Sequence, residues 1–115
     1  MKKIWMRRKG VEFEREVQRR LAAVFGKVFV RRGVRSRDGC ALGDVVAPRL
    51  WIECKARRRV NVREALRQAE RGARTEGRWA VAVHKDDRKP PRATLSLDDF
   101  VALLSDWHDL LLERR

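Results

Sequence analysis

Cysteine is scarce in this chain: Cys40 and Cys54 are the only two among 115 residues. Neither belongs to a C-x-x-C pair and neither has a histidine beside it, which argues against a structural zinc site and a dithiol redox pair. Cys54 lies inside an apolar run and reads as a small buried hydrophobe. His84 and His108 stand alone and read as strand or surface residues. The four tryptophans are scattered singly, a pattern of packing more than of a base-stacking platform. Long apolar runs are missing, and none approaches the ~18 residues of a membrane span. The opening MKKIWMRRKG has a basic flank without the apolar stretch of a secretory signal. Repeats, low-complexity segments and internal linkers are also lacking. The expectation is a soluble, cytoplasmic protein forming one domain over residues 1–115, able to bury roughly two-thirds of the surface its unfolded chain exposes.

Acidic residues are in short supply as well. Sixteen Asp and Glu face 29 Lys and Arg, a formal net charge of +13. Such a charge repels itself unless a polyanion neutralises it, so nucleic acid is the favoured partner. An anionic membrane is the competitor, but no predicted helix joins a basic face to a broad apolar one. Arginine, which outnumbers lysine, suits bidentate phosphate contacts. The hydrophobic fraction of 43% fits a globular fold, and the charges are interspersed, not gathered into a tail.

Residues 1–8 read as a basic arm containing Lys2, Lys3, Arg7 and Arg8. A helix is predicted over 9–25, followed by a strand KVFVR at 27–31 and a basic, glycine-containing loop over 32–43. Strands at 44–47 and 50–56 are joined across Pro48. Asn61 with Glu64 three positions later is a capping signature for a helix over 62–75, whose Ala65, Ala69 and Ala73 give a smooth packing face. RWAVAVH is a further strand, KDDRKPPR a loop and ATLSL a short strand or cap. Ser96 with Asp99 opens a last helix over 97–113. The order α-β-β-β-α-β-β-α predicts an α/β fold, a central mixed sheet flanked by helices.

Within GDVVAPRLWIECKA (43–56), three charges stand where the pattern asks for core residues. Residues i and i+2 of a strand share a face. Trp51, Glu53 and Lys55 therefore point one way, and Ile52, Cys54 and Ala56 the other. If the two strands pair, Asp44 can meet Glu53 and Lys55. Desolvating two carboxylates is costly, and a divalent cation relieves that cost with a hard-oxygen ligand set. The lysine ammonium would orient water or offset charge developing on a phosphate. The competing reading is a solvated sheet face carrying a Glu–Lys neighbour pair. At about 100° per residue, Val17, Leu21, Val24 and Phe25 form the buried stripe of the first helix. Glu14 belongs to that stripe, whereas Glu12 and Glu16 fall opposite with Arg19. Glu14 is thus either a third acid aimed at the sheet or a residue that flanks the stripe.

In order and spacing, KGVEFERE, KVFVRR, GDVVA and IECKA resemble the PD-(D/E)xK nuclease superfamily, and within it the archaeal-type Holliday junction resolvases. The resemblance covers about residues 9–85. It matches Lys9, Gly10, Glu14, Arg15 and Glu16 to the family's Lys-Gly and Glu-Arg-Glu pattern, Asp44 to its metal-binding Asp, and Glu53 with Lys55 to its E-x-K. Arg31, with Arg32 adjacent, corresponds to the Arg ending the first strand, and Ser36 to the loop Ser. The 32–43 loop is longer and more basic than the family pattern, and the C-terminal helix lies beyond it.

What the resemblance implies is a restriction-endonuclease-like fold and a homodimer that resolves four-way DNA junctions by paired nicks. Mg2+, replaceable by Mn2+, would be held by Asp44, Glu53 and the main-chain carbonyl of Cys54, with Glu14 ordering the site or ligating a metal. Lys55 would position or activate the attacking water. Lys9, Arg15, Arg31, Arg32, Arg35, Ser36, Arg37, Arg57 and Arg58 would contact DNA, extended by the basic arm. No small-molecule cofactor and no membrane partner are implied. A phage or archaeal source fits the composition, with the host cytoplasm as location in the phage case. Two alternatives stand beside it: another nuclease of the superfamily (flap, end-processing or restriction-type), and a non-catalytic DNA-binding module.

Overall fold

Lys2 to Phe25 form one continuous helix, α1, in the computed structural model, which describes residues 2–33 and 44–114. The expected basic arm is therefore the first two turns of this helix. Its residues are mostly straight-chain helix formers with no proline to stop them, and Gly10 alone does not break the run. Phe13 and Val17 are buried, and Leu21, Ala22 and Phe25 pack against the same core. Val24, expected in that stripe, is 76% exposed. Phe13 takes the buried place, one turn before Val17.

Gly26, with φ 97°, turns the chain out of α1. The expected strand 27–31 is instead a 3-10 turn at Lys27–Phe29, and only Arg31–Arg32 pair as β1. The turn breaks the alternation that KVFVR suggests. Val30 goes into the core, while Val28 and Phe29 are left in water.

The sheet has five strands in the order β1-β2-β3-β4-β5, with β2 at Val45–Ala47, β3 at Leu50–Arg57, β4 at Trp79–Asp86 and β5 at Arg92–Thr94. β3 and β4 run parallel and the other neighbours antiparallel, so the sheet is mixed. The α/β class, the mixed sheet and its flanking helices match the sequence-based expectation. The parallel pair requires a crossover, and α2 (Val62–Glu76) supplies it. Asn61 caps α2 by accepting from the Glu64 N–H, as its spacing predicts.

The two faces of the sheet are packed differently. On the α1 side, Phe13, Val17, Val30, Val45, Ala47, Ile52 and Cys54 form the main core. On the α2 side, Trp51 lies against Ala69, Ala73 and Ala80. Its indole sits so close to α2 that a Cβ on Gly72 would come within 2.1 Å of it. The small face of α2 exists to receive that ring.

The β2–β3 turn is Pro48-Arg49, with Arg49 at φ 62°. Three contacts hold this unfavourable conformation: the Trp79 N–H donates to the Arg49 carbonyl, the guanidinium stacks 4.5 Å from the Trp79 ring, and it pairs with Asp106 at 2.8 Å. Asp106 belongs to α3 (Leu97–Glu113), which Ser96 caps by accepting from the Asp99 N–H. α3 buries none of its residues. Leu97, Phe100, Val101, Leu104, Trp107, Leu110, Leu111 and Leu112 are between 37% and 74% exposed. Among the described residues no helix is long and apolar enough to cross a membrane.

Candidate active site

The site begins with the hairpin register. Val45 faces Ile52 and Val46 faces Trp51, and Asp44 stands one residue before β2, beyond the last paired position. Asp44 is fixed by its main chain on both sides: its N–H donates to the Ile52 carbonyl, and its carbonyl accepts from the Gly33 N–H. Its Oδ2 accepts from the Cys54 N–H at 2.8 Å. A carboxylate at the head of β2 is thereby aimed along β3.

Glu53 is half-buried, and Trp51 Nε1 donates to its Oε1 at 3.3 Å. Burial and, next, the neighbouring Asp44 carboxylate push its pKa up to about 7. The Trp51 bond and Lys55 pull the other way without reversing the shift. Near neutral pH the pair therefore tends to keep a proton, the behaviour of two acids that lack a cation. Next to Glu53 in sequence, the Cys54 thiol is pushed up, first by burial and then by Asp44, Glu14 and Glu53. It stays a thiol and is no nucleophile.

Glu14 approaches from α1. Its Oε2 accepts from Arg32 Nη2 at 2.8 Å and from Arg32 Nε at 3.2 Å. Its charge is therefore compensated inside the fold, unlike that of the Asp44–Glu53 pair. Arg32 is spent on this contact.

These elements enclose a cleft of about 470 Å³, lined by Arg7, Gly10, Val11 and Glu14 of α1, by Asp44, and by Cys54, Lys55, Ala56 and Arg57 of β3. Gly10 bares the helix backbone there, and a Cβ on it would meet nothing within 4 Å. Glu53 is not part of the lining. Its bond from Trp51 Nε1 draws it to that side, and it neighbours the cleft through Asp44. Among the described residues, no three His, Cys, Asp or Glu side chains gather as a metal-binding group.

The structure thus brings Glu14, Asp44, Cys54, Lys55 and Arg57 around one cavity, with Glu53 behind them. Lys9 pairs with Asp87 and lies over the Trp5 ring at 5.0 Å, away from the cleft lining. Arg15, Arg31 and Arg58 are exposed. Arg35, Ser36 and Arg37 lie outside the described residues. Arg7 enters as a cleft residue in place of an arm residue. Its spacing of seven from Glu14 places both on one helical face, a signal hidden when the helix is started at residue 9.

No family model matches the chain, and no curated protein or solved structure is significantly similar to it.

Proposed function

We propose that the protein is a divalent-metal-dependent DNA endonuclease of the PD-(D/E)xK kind, selective for four-way junctions. One observation carries the reading: two neighbouring carboxylates, Asp44 in a cleft that Lys55 also lines and Glu53 behind it, are held together against their own repulsion in a chain with net charge +13. A fold gains nothing from that pair, and a cation does. Mg2+ is commonly bound through one or two carboxylates with water and substrate phosphate completing the shell, so a two-carboxylate site fits it. Asp44 and Glu53, with the Cys54 carbonyl, would hold the ion, and when bound it supplies positive charge to polarise a phosphodiester and acidify a water.

The chain's own residues do the rest. Lys55 holds the water in place and donates towards the phosphate oxygens. Arg7 and Arg57, at the cleft wall, bind the phosphates flanking the scissile bond. The Glu14–Arg32 pair fixes α1 against the sheet so that the cleft keeps its width. Gly10 lets a backbone phosphate approach the helix without a side chain in the way. Contacts of this kind position a backbone without reading bases, which suits recognition of DNA shape.

The deciding experiment offers the protein and Mg2+ a four-way junction, a flap, a duplex and a single strand. Paired symmetric nicks confined to the junction are expected. Cutting of flaps or ends in preference would assign it to another nuclease of the same chemistry. Binding without cutting in either Mg2+ or Mn2+ would leave a DNA-binding module and defeat the proposal.

A further inference from the structure

We infer that α3 is the self-association element of this protein and docks in a second copy, in the groove alongside the C-terminal half of α1. The two surfaces are complementary in both hydrophobicity and charge. Eight large apolar side chains on α3 are between 37% and 74% exposed, and apolar surface gathered on one element in this way marks an interaction site.

Charge selects the occupant. Five of the chain's 16 acids lie on α3 and none of its 29 Lys and Arg does, so the remainder carries 11 acids against 29 bases. At about 100° per residue, Asp98, Asp109 and Glu113 flank the apolar stripe on one side. Two α3 helices pressed together would therefore oppose like charges, and an anionic lipid surface would repel them as well. The matching surface is on the chain itself. A groove of about 680 Å³ is lined by Ala22, Ala23 and Val30 together with Arg15, Arg19 and Lys27. The exposed Val28 and Phe29 stand in sequence between its Lys27 and Val30. Within one chain, α3 is bonded to the β2–β3 turn and to β4, through Arg49 to Asp106 and the Ala80 N–H to Asp99, and neither anchor lines the groove. A partner's α3 would fill the groove, and reciprocal exchange about a two-fold axis would close a dimer. The groove starts one residue beyond Glu14, so the docked helix would set where the two clefts stand.

Sedimentation of the full chain across a concentration series tests this independently of any nuclease activity. A dimer is expected. Asp109→Lys with Glu113→Lys should weaken it by roughly tenfold or more, as should Arg19→Glu with Lys27→Glu. Combining all four should restore it to near the original constant. Lysines in the last turn favour the helix dipole, so loss of α3 cannot mimic the first result, and circular dichroism checks the others. A monomer at every concentration, a dimer indifferent to both reversals, or a quadruple variant that stays weak would each overturn the inference.

Discussion

The cleft and α3 depart from the usual partition of side chains in opposite senses. At the cleft, carboxylates stand within an apolar hairpin, and Glu53 is pushed up to about 7 by burial and by Asp44. Along α3, eight large apolar side chains stand in water. α2 lies between these extremes: Ala65, Ala69 and Ala73 are buried and its polar side is solvated. The chain can evidently build a helix that satisfies the domain alone. When local choices agree with the fold they explain folding, and where they conflict with it they serve something outside it. Under the two proposals the conflicts serve different partners, a cation with DNA for the cleft and an apolar, basic surface for α3.

Breaking the cleft should have the largest effect. Asp44→Asn and Glu53→Gln should each lower cleavage of a four-way junction by about 10²–10³-fold or more, the size of losing a preorganised charge at a reacting phosphate. Junction binding should be kept or strengthened, because repulsion of phosphate falls. Undiminished cutting by either variant would remove that residue from the site. Lys55→Met should follow the same pattern. Glu14→Gln should lose less, since Arg32 already compensates its charge, and Glu12→Gln on the opposite face should be nearly silent. Equal losses at 12 and 14 would sink the helical-face argument.

The hairpin, α2, α3 and both capping residues were legible because their signals are local: alternation, a four-residue alanine repeat, and Asn61 and Ser96 three residues before the Glu64 and Asp99 whose N–H groups donate to them. KVFVR misled for a tertiary reason. Gly26 at positive φ swings the chain into a turn, and only Val30 finds the core. Helix phase placed Glu14 near the sheet, but it could not show that Arg32 would neutralise it. Nor could strand alternation show that Trp51 would draw Glu53 to its own side. Those depend on which face each helix covers, which the pattern of one segment does not contain.

Next in size comes a pair of glycines that separates packed from open helix surface. Gly72→Ala would gain up to ~1 kcal/mol of helix propensity but drives a methyl into the Trp51 indole, so a net loss of about 1–3 kcal/mol is expected. Gly10→Ala has open space and should gain up to ~1 kcal/mol. Thermal melts of the two variants should move in opposite directions. A higher melting temperature for Gly72→Ala would mean that Trp51 is not seated on α2.

A subtler effect concerns the metal-free protein. The folded state raises the Glu53 pKa above that of an ordinary carboxyl, so it holds the proton more tightly than the unfolded chain does. The stability this contributes is present below the unfolded pKa of about 4.3 and is lost as pH rises through about 7. With a chelator present, Glu53→Gln should flatten the pH profile of the melting temperature across that window and be the more stable protein above it. Added Mg2+ should then raise the melting temperature of the unsubstituted protein and not of the variant. Parallel profiles in chelator would show that the pair does not strain the fold.

The smallest expected change is on α3. Leu111→Ser removes an apolar side chain that touches water, so within one chain it should shift stability by less than ~0.5 kcal/mol. The same change in the buried stripe, at Val17, should cost several times more, because it leaves a cavity and an unpaired hydroxyl. The contrast is sharpest under dissociating dilution. If Leu111→Ser costs as much as Val17→Ser there, α3 belongs to the domain core after all. If it costs nothing in the dilute chain and appreciable stability only at high concentration, the exposed stripe is held for a second copy, and the energy missing from the monomer is recovered on association.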